Sequence, residues 1–352
     1  MSQPAPRPDH RLRIAVMGAG SIGCHLGGSL AGVADVTLIG RVAAMDTLRA
    51  RGLTLSGGGR PRLRVDTDGG PLGVRLATGA EGVADADYVL VTVKSANTGE
   101  VARELAPHLA PGTVVVSFQN GLRNTGALAE VLTGRPVVAG MVPYNVVRTG
   151  PGAFHQGSGG TLMVEAVRHA EPLVAALTAA GLRIEARHDM REVQCAKLLM
   201  NLNNAINALS GLPLRDQLGQ RAYRECLALS QSEALAAYAA EGIQPARLGP
   251  IPARLTPRLL RLPDGIFRRL ATATLSIDAQ ARSSTWEDLQ RGRPTEIDSL
   301  QGEVVALAAR HALPAPVNAE LVSLVRRMEA AGPGAARRWS GGELLAKVTT
   351  MR

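Results

Sequence analysis

Through the first 150 residues, apolar positions gather in short solid runs rather than alternating with polar ones. Leu12–Met17, Val36–Ile39, Tyr88–Val93, Thr113–Phe118 and Val137–Val142 are predominantly apolar, as strands buried on both faces must be. An apolar stretch through Leu30 reads as a helix after the first run, and residues 98–109 read as another. Strands alternating with helices predict a parallel sheet covered on both sides. Residues 52–76 interleave β-like pieces with Gly57-Gly58-Gly59 and Gly69-Gly70, which predicts hairpins or loops. Residues 150–160 read as a glycine-rich loop.

Beyond about residue 190 the chain reads as successive helices rich in Ala, Leu, Arg and Glu, up to about residue 330. Pro245, Pro250, Pro252, Pro257 and Pro263 interrupt them, predicting a long connection or a broken helix. No repeat of fixed period is present. The expected architecture is an α/β N-terminal Rossmann domain (12–188) and an all-α C-terminal domain (189–330). A disordered tail (1–11) precedes them and a C-terminal extension (331–352) follows.

Composition narrows the function. The 352 residues are 45% hydrophobic and 20% charged, as in a soluble globular protein. No apolar run approaches the ~20 residues that span a bilayer. The first ten residues have no secretion-signal core, so the expected location is the cytoplasm. Cys24, Cys195 and Cys226 are scattered, which predicts reduced, buried thiols, and the dispersed histidines predict no metal site. The net charge of +9 comes with only 3% aromatic residues and no nucleic-acid-binding motif. A polyanionic dinucleotide and an acidic substrate account for it better. Among 39 basic residues only Lys94, Lys197 and Lys347 are lysines. A lysine that stands against that bias points to a task arginine cannot perform, such as giving up a proton near neutral pH.

The first apolar run leads into Gly18-Ala19-Gly20-Ser21-Ile22-Gly23, a G-x-G-x-x-G turn between strand and helix. Its glycines permit a tight turn, backbone approach to a pyrophosphate and close helix packing, while the helix N-terminus offers N–H donors. NAD enzymes place an acid at the end of the second strand for the ribose hydroxyls. This chain has Leu38-Ile39-Gly40-Arg41 there. With no acid to repel a 2′-phosphate and Arg41 available to pair with it, NADPH is the expected cofactor; the alternative is an ordinary surface arginine.

Residues 195–210, CAKLLMNLNNAINALS, predict a helix with Lys197, Asn201 and Asn204 at i, i+4 and i+7. Asn201, Asn203, Asn204 and Asn207 fall within seven residues although Asn is a poor helix former, which predicts a ligand-facing polar stripe.

With those residues in view, the chain resembles the ketopantoate reductases (2-dehydropantoate 2-reductases) over roughly 12–330. GAGSIG at 18–23, VTVKS at 91–95, FQNG at 118–121, KLLMN at 197–201 and RSSTWEDLQRGRPTEID at 282–298 carry the resemblance. It implies a C-terminal domain like that of 6-phosphogluconate dehydrogenase. It also implies NADPH-dependent reduction of 2-dehydropantoate to (R)-pantoate, for pantothenate and coenzyme A synthesis. By position, it makes Lys197 the proton donor and Glu296 the carboxylate that holds the substrate hydroxyl. Asn201 and Ser284 would bind substrate, with Ser284 near the substrate carboxylate. Arg41, Lys94, Asn120 and backbone near Val146 would meet the cofactor. The family often has a second asparagine eight residues after the lysine; this chain has Ala205 there, flanked by Asn204 and Asn207, either of which could serve. Without the resemblance, Glu296 reads as a surface acid in a helix N-terminal turn.

The chemistry suits the residues. Hydride addition to a 2-oxo acid puts negative charge on the carbonyl oxygen, and a protonated lysine both stabilises that charge and donates the proton. Two further readings stay open: reduction of another small 2-oxo acid, and a non-catalytic NADPH-binding regulator, for which Lys197, Asn201, Ser284 and Glu296 together would be needless. The expected partner is a small 2-oxo acid, with neither nucleic acid nor membrane, and a homodimer left open. The basic stretch Arg254–Arg269 reads as a solvated helix surface or a subunit contact, with a membrane-surface role as the alternative.

Overall fold

The computed structural model describes residues 11–70, 72–270, 281–334 and 337–350, so the expected N-terminal tail lies outside the described residues except for Arg11. The chain divides into two compact units. The first runs to Gln119 and resumes over Arg123–Met190; the second comprises Asn120–Leu122 and everything from Arg191 onward.

In the first unit, β1 (Arg13–Met17) leads into α1 (Ser21–Leu30), β2 (Asp35–Ile39) and α2 (Val42–Arg51). The hairpin β3 (Leu53–Gly57) and β4 (Arg60–Val65) follows, then β5 (Val74–Ala77), β6 (Tyr88–Val91), α3 (Thr98–Leu105), β7 (Val114–Ser117), α4 (Asn124–Val131) and β8 (Val137–Met141). The unit closes with β9 (Val146–Gly150), β10 (Ala153–Gln156), β11 (Leu162–Glu165), α5 (Glu171–Ala179) and β12 (Ile184–Arg187). The eight-stranded sheet has the order β12-β11-β8-β7-β6-β1-β2-β5. Its six strands from β8 to β5 are parallel and follow the doubly wound order, in which direction reverses between β1 and β6. The apolar runs of the sequence are these strands: β6 and β7 are buried at every position.

A second sheet, β4-β3-β10-β9, covers the other side of α1. Gly27 and Gly28 make that possible. A Cβ at Gly27 would lie 2.5 Å from Leu38, and one at Gly28 would lie 2.7 Å from Leu53. With no side chain at either position, α1 fits between the two sheets and is buried from Gly23 to Leu30. The expectation of a plain loop over 150–160 is corrected here. β10 pairs with β9 and β3, and its alternation buries Phe154 and Gln156. Only four residues long and flanked by glycines, it leaves little trace in the sequence.

The second unit is helical: α6 (Met190–Asn201, its first residue in the other unit), α7 (Asn203–Ser210), α8 (Leu214–Leu218), α9 (Arg221–Ala240), α10 (Thr256–Leu260), α11 (Asp264–Leu270), α12 (Ser284–Gln290), α13 (Gln301–Arg310), α14 (Pro316–Ala331) and α15 (Gly341–Thr349). One apolar cluster joins them, with Leu198, Leu202, Leu209, Leu227, Val304, Leu321 and Leu344 essentially inaccessible to solvent. Each such leucine contributes roughly 1.5–3 kcal/mol through burial. Within the C-terminal extension, α15 buries Leu344 and Val348 and packs on α9.

The proline-rich stretch does form short broken helices, and a buried arginine fastens it. The Arg224 guanidinium donates to the carbonyls of Leu218, Leu260 and Leu262, pairs with Asp264 at 2.9 Å and stacks 4.1 Å from the Phe267 ring. No described helix is long and apolar enough to cross a membrane.

Candidate active site

In the first unit the expected cofactor residues gather where β1, β2 and β6 end. Gly18 takes φ +114, and a Cβ there would lie 2.8 Å from the Val93 amide nitrogen. A Cβ at Gly23 would lie 2.1 Å from the Gly18 carbonyl. A Cβ at Gly20, by contrast, would meet no atom within 4 Å. Two glycines are thus required by protein packing, while the middle one leaves the backbone open to a ligand. Ser21 and Ile22 start α1, whose first turn carries no acid, so its N–H groups and dipole favour an anion. Lys94 lies just past the end of β6, beside Val93. Val146 opens β9 and is buried in the core, paired with Gln156 of β10.

At Gly40, just after β2, a side chain would meet the glycine turn. A Cβ at Gly40 would lie 2.8 Å from Ala19 Cβ and 2.9 Å from Met45 Cε. Neither Asp nor Glu fits without displacing the glycine turn. Arg41 is exposed at the position before α2, whose first turn again holds no acid.

In the second unit α6 presents Lys197 and Asn201. Asn201 Nδ2 donates to Asn120 Oδ1 at 3.1 Å, and Asn120 Nδ2 donates to Glu296 Oε2 at 3.1 Å. Asn120, expected at the cofactor, is therefore bonded to two residues expected at the substrate. Gly121 follows it with φ +93, a backbone reversal that suits glycine. Glu296 precedes a single helical turn at Ile297–Ser299 that leads into α13, and Thr295 is fixed by donation of its N–H to Glu329 at 2.7 Å. Lys197 is half-buried, and burial pushes its ammonium down to about 8 from the ordinary 10.5.

The four asparagines do not form one stripe. Asn203 is buried and exchanges two hydrogen bonds with Gln217, each of 3.1 Å. Asn207, fully buried, donates to the Leu212 carbonyl and accepts from the Ser283 N–H. Those two amides hold the fold together. Asn201 and Asn204 are the more accessible pair, and Asn204 Nδ2 lies 3.4 Å from Ser284 Oγ. Ser284 starts α12 and is exposed, while its neighbour Ser283 caps that helix and donates to the Asn204 carbonyl. Ala205 is buried in the apolar core. The expected single helix over 195–210 is interrupted at Leu202, between α6 and α7.

Lys197, Asn201, Asn204, Ser284 and Glu296 thus combine an ammonium, two amides, a hydroxyl and a carboxylate. Such a set can oppose a growing oxyanion, bind a carboxylate and accept from a hydroxyl. The three cysteines are free and buried, each pushed up to about 12 by burial, and so are protonated thiols. Among the described residues no group of three or more His, Cys, Asp or Glu side chains could hold a metal ion.

Comparison with known proteins identifies the family. Residues 14–169 match the family described as "Ketopantoate reductase PanE/ApbA", and residues 189–329 match its C-terminal counterpart. A 2-dehydropantoate 2-reductase of Halobacterium salinarum is 30% identical over 333 residues, covering 90% of this chain and 98% of its own. The crystal structure of a PanE/ApbA family ketopantoate reductase from Ralstonia eutropha is 31% identical with a TM-score of 0.76, covering 91% of this chain and 99% of its own. A D-mandelate dehydrogenase solved with NADH and anilino(oxo)acetate shares the fold, with a TM-score of 0.73 at 19% identity, over 91% of this chain and 99% of its own. Family matches in both halves and relatives at this identity over nine-tenths of the sequence establish that the chain belongs to the ketopantoate reductase family.

Proposed function

We propose that this protein reduces 2-dehydropantoate to (R)-pantoate with NADPH, as a step of pantothenate and coenzyme A synthesis. The observation that carries the reading is the bonded set Asn201, Asn120 and Glu296, with Lys197 one helical turn before Asn201 on α6 and its ammonium pushed down to about 8. The glycine turn, the open face at Gly20 and Arg41 at the start of α2 suit the pyrophosphate and the 2′-phosphate of the cofactor. When bound, NADPH supplies the hydride.

Lys197 faces the substrate carbonyl oxygen, stabilises the negative charge that develops there and transfers a proton from Nζ to that oxygen. Glu296, oriented by Asn120, accepts a hydrogen bond from the substrate hydroxyl. Asn201 orients the carbonyl end, while Asn204 and Ser284 donate to the carboxylate. Lysine suits the role because it loses a proton near working pH, which arginine does not.

Ala205 favours one second reading, reduction of a different small 2-oxo acid, because it withdraws an amide that the family pattern often places there. NADPH oxidation should be followed by absorbance with ketopantoate, pyruvate, 2-oxoisovalerate and oxaloacetate in turn. Highest kcat/KM for ketopantoate is the expected result. Preference for another acid would select the second reading, and no oxidation with any would leave a nucleotide-binding protein.

A further inference from the structure

On the far side of the lysine helix, three backbone carbonyls are each held by a buried side chain. Tyr238 Oη donates to the Cys195 carbonyl at 3.3 Å, Gln231 Nε2 to that of Leu199 at 3.0 Å, and Gln301 Nε2 to that of Leu202 at 2.7 Å. Cys195, Leu199 and Leu202 are spaced i, i+4 and i+7, so their carbonyls line one side. Lys197, Asn201 and Asn204 each come two residues later, about 200° around the helix. Of the carbonyls bound by the two glutamines, one belongs to Leu202, at the interruption, and the other to Leu199, three residues before it. A side chain that enters the carbonyl ladder is a recognised cause of such a break.

Gln231 and Tyr238 project from α9, and Gln301 is the first residue of α13. All three side chains are buried. Among the described residues, Oε1 of Gln231 and Oε1 of Gln301 have no hydrogen-bond partner. A buried acceptor left unpaired costs stability, and an apolar residue of similar size would avoid that cost. Stability alone therefore does not explain two glutamines at these positions, whereas their grip on the helix does. Gln301 also ties the segment that carries Glu296 to the residue after Asn201, doing on one side of the helix what Asn120 does on the other.

We propose that Gln231, Tyr238 and Gln301 are positioning residues, a three-point clamp that sets the rotation and the break of the lysine helix and so aims Lys197, Asn201 and Asn204. Its catalytic meaning rests on the assignment of Lys197 as proton donor.

The scarcity of lysine makes a direct test practical, since Lys94, Lys197 and Lys347 are the only three in the chain. Competitive acetylation across neutral to alkaline pH, read by peptide mass spectrometry, gives the titration midpoint of each, with Lys347 as internal reference. In Gln301→Met the Lys197 midpoint should rise from about 8 by about one pH unit, because a loosened helix admits water to the ammonium. In the same variant kcat should fall about 10- to 100-fold, with the KM for NADPH within about twofold of normal. Tyr238→Phe removes one oxygen and should move both quantities less, in the same directions, and it carries the test should Gln301→Met not fold. A Lys197 midpoint unmoved in the folded variants overturns the clamp, even where activity is lost. Wild-type protein that reduces no 2-oxo acid would overturn the functional reading instead, and the acetylation result would still decide whether the clamp holds the helix.

Discussion

Asn120 Nδ2 lies 3.1 Å from Glu296 Oε2, joining a carboxylate to an amide 176 positions earlier in the chain. Because Asn120 Oδ1 also accepts from Asn201, one side chain fixes the direction of both an amide and an acid. Asn120→Ala removes both bonds at once. A hydrogen bond to a charged group contributes ~1.5–3 kcal/mol, so kcat/KM for the 2-oxo acid should fall about 10- to 100-fold. Steady-state kinetics at varied acid and saturating NADPH read this. Values within twofold of wild type would mean that the bridge does not orient the site.

Lys197 can be tested by separating charge from proton transfer. Lys197→Ala should lower kcat about 10²- to 10⁴-fold. Lys197→Arg keeps the positive charge but cannot release a proton at working pH, so kcat should stay low. The KM for the acid should suffer less in Arg than in Ala. A Lys197→Arg enzyme with normal turnover would remove the lysine from its role.

Activity and stability should respond to alkaline pH in opposite directions. Donation needs the protonated ammonium, so kcat/KM, which reports the groups of the free enzyme, should fall as pH rises through about 8. For stability, the folded value is depressed below the unfolded 10.5, so between the two the unfolded chain binds more protons. The penalty for a buried charge is fully present below about 8 and fades as pH rises toward 10.5. Lys197→Met should therefore melt higher than wild type near neutral pH, and the difference should shrink in alkaline buffer. Melting curves of the two proteins that stay parallel across that window would contradict the assigned burial.

His25 predicts an acid-side dependence in the first unit. Its ring is buried in α1, with Arg60 Nη2 3.1 Å from Nε2 and Tyr144 Oη 3.5 Å from Nδ1. Burial, helped by the Arg60 charge, pushes it down to about 4 from 6.5. A neutral buried imidazole gives stability that is whole above 6.5 and is lost as pH falls toward 4. His25→Gln should flatten that part of the melting-temperature profile; an equally steep decline in the variant would place the acid sensitivity elsewhere.

Much of this arrangement is legible in the sequence because it depends on local rules. Solid apolar runs mark strands covered on both faces, and Gly18, Gly20 and Gly23 mark the turn between the first strand and its helix. Lys197 stands out against an arginine-rich background, and Asn201 lies one turn beyond it. What stays hidden depends on contacts across the chain. Composition cannot separate Asn204 from Asn207, because the difference is whether Ser283 and Leu212 arrive to satisfy the amide. Asn120 reads as a loop residue after a strand until Asn201 and Glu296 are brought to it. Gln231 carries a weak signal, since it interrupts an otherwise apolar helical face, and Gln301 stands at the start of its helix; the partners of both are backbone carbonyls and carry no sequence mark.

Cofactor choice brings together a charge and a spatial constraint, and each can be changed separately. Arg41→Ala should raise the KM for NADPH far more than that for NADH, and equal effects would mean that Arg41 does not read the 2′-phosphate. Introducing the acid of an NAD enzyme is harder. Gly40→Asp alone puts a Cβ 2.8 Å from Ala19 Cβ, inside the glycine turn, so it should weaken both cofactors rather than exchange them. Met45 Cε, the other near atom, is the end of a flexible side chain and can yield; Ala19 Cβ cannot. Ala19→Gly combined with Gly40→Asp and Arg41→Ala removes that overlap, admits a carboxylate and withdraws the cation. The triple variant should then use NADH in preference to NADPH, as measured by the ratio of kcat/KM values. Should Gly40→Asp alone produce the same reversal, packing against Ala19 would not be what keeps an acid out of this position.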